Sequence, residues 1–182
     1  LLVPALAAAQ AYPAKPIKWI VPYTPGGITD TVTRLVAQKI QEAVGQPIVV
    51  ENRPGANSLL GANLAATSPP DGYTMLTVIA AHAANATLYA GKMQFDPVKS
   101  FAPVSLVATA PLIITANIKF PPNDVKDLIA YAKANPGKIS FGSSGVGAAA
   151  HLTTELIKQT ASIDMVHIPY KGTAPALQGL LG

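Results

Sequence analysis

Apolar positions along the chain switch between two periods. The run IKWIVPY (17–23) is apolar and rich in β-branched residues, and Pro and Gly end it, which predicts a buried strand. From 29 to 44 the apolar positions Val32, Leu35, Val36, Ile40 and Val44, with the stem of Lys39, recur every three or four residues, and Gly45 and Pro47 stop the run. That spacing predicts an amphipathic helix. PIVVENR (47–53) reads as a second strand, PGANSLLGANLAATS (54–68) as a loop opening a short helix, and YTMLTVIA (73–80) as a third strand. Strands separated by helices predict βαβ units and a parallel sheet.

The middle of the chain changes character. FAPVSLVATAPLIITAN (101–117) holds two β-rich runs broken at Pro111, with little room for a helix between them. A crossover into a second α/β domain is expected there, dividing the chain into 12–104 and 105–182. NDVKDLIAYAKAN (123–135) carries Asn123 or Asp124 as a helix cap, apolar positions 125, 128, 129 and 132, and a Pro136–Gly137 stop. KISFGS (138–143) returns to strand, AAAHLTTELIKQT (148–160) to helix and MVHIPY (165–170) to strand. TAPALQGLLG then begins a helix that would leave apolar faces uncovered, so the sequence is expected to be a C-terminally truncated piece of a longer chain.

Composition narrows the class. The chain has 182 residues, 49% hydrophobic and 12% charged, enough apolar material for a core and too little charge for a disordered chain. The opening LLVPALAAAQA (1–11) is apolar and ends in Ala9-Gln10-Ala11, the small-x-small pattern that signal peptidase accepts, so it reads as the remnant of an export signal. The protein is therefore expected to be exported. The absence of cysteine excludes a disulfide framework and a thiolate zinc site. The net charge of +4 comes from scattered Lys and Arg without aromatic interleaving, which argues against nucleic acid and fits steering of small anions.

Two stretches share one design, in which a strand runs through a glycine-rich turn into a helix start: IKWIVPY-TPGGI-TDTV and KISFG-SSGVG-AAAHL. Glycine lets backbone N–H groups approach a ligand, and the open amides at a helix N-terminus form an oriented anion site. Nucleotide does not fit. GVGAAA matches G-x-G-x-x-A, but the next strand ends in Tyr170 and Lys171 instead of an acid, and TPGGITD lacks P-loop spacing. Asp30 reads first as a first-turn cap and second as an acceptor for a ligand. Ser143 and Ser144 lie outside a G-x-S-x-G elbow and suit donation to a ligand carboxylate, or turn formation. Asn57 and Ser58 read as caps, then as pocket donors. His82 follows the expected end of a strand, where open α/β sheets place ligands, and His151 suits packing or capping. No histidine spacing suggests a metal, and neither a metal nor a cofactor is expected.

Taken together, YPAKPIKWIVPYTPGGITD, GQPIVVENRPGANSLLGA, SPPDGYTML, FDPVKSFAPVSL, GKISFGSSGVGAAAHLTTEL and VHIPYKGTAPAL resemble the Bug family, periplasmic solute receptors of tripartite tricarboxylate transporters. The resemblance runs in order from Tyr12 to Gly182. It implies a type II periplasmic-binding-protein fold, two α/β domains with a ligand cleft between them, and a receptor without catalytic residues. The implied ligand is a small carboxylate held by Gly26, Gly27, Thr29 and Asp30 on one side and by Ser143, Ser144, Gly145 and Gly147 on the other. Asn57 and His82 join these as candidates. The implied partners are inner-membrane transporter subunits, with a monomeric receptor at full length. Two departures stand out: Ile28 follows PGG where many relatives carry a small residue, and Ala148 stands where many carry Ser. A sensory receptor and a hydrolase using Ser143 or Ser144 with His82 or His151 are the alternatives.

Overall fold

A computed structural model describes residues 12–182, so the expected signal remnant at 1–11 lies outside the described residues. The elements in chain order are β1 (Ile17–Val21), α1 (Ile28–Val44), β2 (Ile48–Asn52), a 3-10 turn (Ala56–Ser58), α2 (Leu59–Ala66), β3 (Thr74–Leu76), α3 (Ala80–Leu88), α4 (Val125–Ala134), β4 (Ser140–Ser143), α5 (Ala149–Ala161), β5 (Val166–Pro169) and α6 (Thr173–Leu181). They build two sheets. β1 lies between β2 and β3, and β4 pairs with β5, all in parallel register.

β1 is buried because both its edges and both its faces are covered. Ile17, Trp19, Ile20 and Val21 are 3% exposed or less, while Lys18 stays out. Burying each such side chain stabilises the fold by roughly 1.5–3 kcal/mol. Polar groups tie α1 to this sheet: Trp19 Nε1–H donates to Thr77 Oγ1 at 2.8 Å, Thr77 Oγ1 meets Thr33 Oγ1 at 2.9 Å, and Thr33 also donates to the Thr29 carbonyl at 2.7 Å. α1 therefore buries Thr29, Asp30, Thr33 and Ala37, whereas Leu35 of the predicted apolar stripe is exposed. Small and hydroxylated residues allow this close seat, and hydrogen bonds replace apolar contact across it. Gly45, at φ +70, closes α1 as a left-handed cap.

The second sheet rests on its own core of Ala132, Ile139, Ile163 and Met165, with Leu128, Phe141 and Ile157 packed around it. Asp124 caps α4 by accepting the Asp127 N–H at 2.8 Å.

Three expectations are corrected. The third strand covers only Thr74–Leu76, and a helix, α3, starts at Ala80, so His82 lies inside a helix instead of beyond a strand end. Alanine favours helix, and the buried face of α3 is Ala81, His82 and Asn85, which a search for large apolar residues at helical spacing passes over. The β-rich runs at 101–117 form no strand: Val104, Leu106 and Ile113 are exposed, and among the described residues nothing pairs with them in a ladder. Strand propensity expresses itself only against a neighbour. Asn57 and Ser58 do not cap α2 through their side chains.

Candidate functional site

The first glycine loop leaves β1 at Pro22 and enters α1 at Ile28. Gly26 takes φ +79, a left-handed conformation that suits glycine, and Gly27 is extended and supplies no side-chain cap. The first-turn amides of α1 are thus left for another acceptor. Asp30 does not cap them. Its buried carboxylate turns back to accept the Gly26 N–H at 3.0 Å, Asn52 Nδ2 at 2.9 Å and Arg34 Nε at 3.0 and 3.1 Å. Burial is the largest influence on this carboxyl and opposes ionisation. The bonds from Arg34, Gly26 and Asn52, with the charge of Arg34, outweigh it and hold the group below the ordinary carboxylate range. Arg34 also donates to Asn52 Oδ1 at 2.7 Å, closing the network.

The second loop leaves β4 at Ser143 and enters α5 after Ala148, again with no side-chain cap. Ser143 is 2% exposed and its hydroxyl points into its own loop. Oγ donates to the Gly145 carbonyl at 2.9 Å, accepts the Gly145 N–H at 3.2 Å and meets His167 Nε2 at 2.7 Å. Gly145 and Gly147 take φ +144 and +77. The Gly147 N–H donates to His151 Nδ1 at 3.0 Å. Ser144 is only half-buried, and its hydroxyl has no partner among the described residues.

The two loops meet residues of the opposite sheet's unit. A Cβ on Gly145 would stand 2.7 Å from Asn57 Oδ1, and one on Gly147 would stand 2.6 Å from Leu88 Cδ1 and 3.3 Å from Ala84 Cβ. On the other side Thr24 abuts Gly172, the Thr24 N–H donates to the Lys171 carbonyl at 3.4 Å, and Gly27 faces Thr173 at the uncapped start of α6. Glycine is required at 145, 147 and 172 both for positive φ and for this approach. Asn57 sits in a run of three left-handed residues, Ala56, Asn57 and Ser58. Asn85 holds that run: its Nδ2 donates to the Asn57 carbonyl at 2.9 Å, and its Oδ1 accepts Asn57 Nδ2 at 2.7 Å.

His82 is placed differently. Its ring joins those of Phe95 and Phe101 in a three-membered aromatic cluster, and Nε2 contacts the Pro97 carbonyl at 2.8 Å. The serine and histidine that touch are Ser143 and His167, rather than a pairing with His82 or His151. Arg34, Asn52 and Asn85 are not singled out by the sequence, and His167 is weighed there only against a metal site. Asn52 and His167 sit at or near strand ends, the one signal that marks them, whereas Asn85 is a buried polar residue on an alanine-rich helix.

Comparison with known proteins bears on this geometry. The statistical model of the family described as "Tripartite tricarboxylate transporter family receptor" matches residues 32–182. Protein BugT of Bordetella pertussis is 39% identical over 180 residues, covering 96% of this chain and 54% of the relative. A UPF0065 protein from the tcbD-tcbE intergenic region of Pseudomonas sp. strain P51 is 36% identical over 174 residues, covering 94% and 51%. This chain thus spans about half the length of the curated relatives it matches. Among solved structures, R. palustris Rpa4515 with adipate is 35% identical with a TM-score of 0.88, covering 93% of this chain and 56% of that one. MatC from Rhodopseudomonas palustris with bound malate is 32% identical with a TM-score of 0.84, covering 93% and 57%. The chain has the periplasmic-binding-protein fold and belongs to the tripartite tricarboxylate transporter receptor family, the family to which Bug proteins are related here.

Proposed function

We propose that the protein is a periplasmic receptor that captures a small carboxylate between its two glycine loops and delivers it to the membrane subunits of a tripartite tricarboxylate transporter. The observations that carry this reading are that the uncapped starts of α1 and α6 face each other at Gly27 and Thr173, and that the glycine loop before the uncapped start of α5 meets Asn57, Ala84 and Leu88 of the first sheet's unit. Oriented amides there neutralise an anion without a buried arginine. The boundary near 104/105 separates the two units, and closure about the extended connection would bring the loops onto the ligand.

The internal bonds sort the candidate residues. Gly26, Gly145 and Gly147 have their N–H groups engaged by Asp30, Ser143 and His151, so these glycines serve shape and close approach. Asp30 and Ser143 serve the loops' conformation. The Gly27 N–H, the Thr29 and Ser144 hydroxyls and the first-turn amides are the groups we assign to the ligand, with Asn57 closing over the second loop. Rpa4515 holds adipate and MatC holds malate, so a dicarboxylate is the class to try first. The Ser143–His167 contact has the spacing of a nucleophile and base, but the hydroxyl is buried and engaged on its own loop.

Isothermal titration against malate, adipate and their diamides tests the proposal. Each acid should bind at least about tenfold more tightly than its diamide, a gap of about 1.4 kcal/mol. Equal affinities would sink it.

A further inference from the structure

Behind the second glycine loop lie two imidazoles that the ligand reading does not use. The rings of His151 and His167 stack at 4.0 Å between centroids and 18° between planes, and Phe141 continues the stack at 4.9 Å from His167. Each ring holds one end of the loop. His167 Nε2 meets Ser143 Oγ, and His151 Nδ1 accepts the Gly147 N–H.

The two bonds respond oppositely to a proton. The Ser143 hydroxyl has one hydrogen; given to the Gly145 carbonyl, it leaves Oγ to accept from both Gly145 N–H and His167 Nε2–H, and every group is satisfied. A charged His167 would keep that bond. His151 is different, because Nδ1 accepts only while it carries a lone pair. Protonated, it presents N–H to the N–H of Gly147, and the bond becomes a repulsion.

We infer that His151 is a positioning residue whose unprotonated Nδ1 fixes the Gly145–Gly147 loop in its ligand-ready shape, so that acidification loosens the loop and weakens ligand retention. This rests on the reading of that loop as one side of the carboxylate site. The groups around the two rings carry little uncompensated charge. On α5, Glu155 and Lys158 pair with each other at 3.0 Å. On β4, Phe141 and Ser143 are uncharged, and from the first sheet's unit Asn57, Ala84 and Leu88 face Gly147 without charge. Burial, and then the neighbouring His151, hold His167 below the ordinary histidine range, against a smaller opposite pull from Glu155. The stacked rings disfavour two charges at once.

The test follows hydrogen exchange at the Gly147 amide and malate affinity in parallel, between about pH 7.5 and about pH 5.5, where histidines titrate. Gly147 protection should fall about tenfold or more on acidification while Ile20 in β1 keeps its protection. In His151→Asn, whose Oδ1 can accept the same N–H but does not titrate, Gly147 protection and malate affinity should match the original at the upper pH. The ratio of the two proteins' affinities should then widen as pH falls, which cancels the titration of malate itself. Constant Gly147 protection, or identical affinity profiles for the two proteins, would overturn the inference. Malate and adipate binding both absent at every pH would overturn the carboxylate reading instead, and Gly147 protection would still report on His151.

Discussion

Replacing Asp30 by Asn asks whether its carboxylate serves the loop or the ligand. The charged group accepts from three partners, Gly26 N–H, Asn52 Nδ2 and Arg34 Nε, and is itself buried. An asparagine there keeps one acceptor oxygen and turns an NH2 toward the rest. With the nitrogen at the Oδ2 position it opposes the Gly26 N–H; flipped, it opposes Asn52 Nδ2, while Arg34 Nε, which reaches both oxygens, keeps the one that remains. One donor is stranded in either rotamer, at a cost of about 1–3 kcal/mol. The loss of the ionic partner adds to this. Arg34 is half-exposed, so its orphaned charge is hydrated and the total stays below the roughly 3–5 kcal/mol of a fully buried pair. The structure therefore predicts a loss of about 2–3 kcal/mol at neutral pH.

Urea unfolding reads that loss as a lower midpoint with an unchanged slope. The difference must also depend on pH with a definite sign. The folded carboxyl lies below its unfolded value, so its contribution is complete above roughly pH 4 and disappears as pH falls through the folded value. The original protein and Asp30→Asn should converge in acid. A change under about 0.5 kcal/mol at neutral pH, the size of an ordinary surface substitution, combined with lost malate affinity would refute the loop role and make Asp30 a ligand group.

Two further substitutions test the close approaches. Gly147→Ala places a methyl group at φ +77 against Leu88 and Ala84, so malate affinity should fall about tenfold or more, and adding Leu88→Ala should recover part of it. Loss that Leu88→Ala leaves untouched would show that backbone strain alone is responsible. Gly61→Ala drives Cβ to 2.7 Å from Pro22 Cβ and 2.9 Å from the Arg53 carbonyl, so thermal unfolding should register a loss of about 1–3 kcal/mol; a midpoint within a degree or so of the original protein would contradict that packing.

The contrast between what was legible in the sequence and what was not has one physical origin. Periodicity reports side chains that bury apolar area, so β1, β2, α4, β4, α5 and β5 all lie where apolar spacing and Gly or Pro breaks predicted them. It is silent where burial is polar or depends on a partner. α1 turns Thr29, Asp30 and Thr33 inward, α3 buries His82 and Asn85, and 101–117 has strand composition without a strand beside it.

The candidate site divides along the same line. Glycines after a strand are visible because the turn demands them. The groups that shape those turns are not, because each acts across a long separation: Asn52 on Asp30, Asn85 on Asn57, His167 on Ser143. This also explains why the most chemical-looking residues are poor choices for direct ligand contact. A buried loop made of glycine has no side chains of its own to satisfy its backbone, so nearby carboxylate, hydroxyl and imidazole groups are drawn into that task. Asp30, Ser143 and His151 are engaged in this way, one for each glycine N–H at 26, 145 and 147. Under the proposed function, what remains to meet an anion is plainer: backbone amides at uncapped helix starts and the hydroxyls of Thr29 and Ser144. On that proposal the receptor would read charge through amides whose geometry is held from behind, and its specificity should respond to the residues that hold the loops as strongly as to those that touch the ligand.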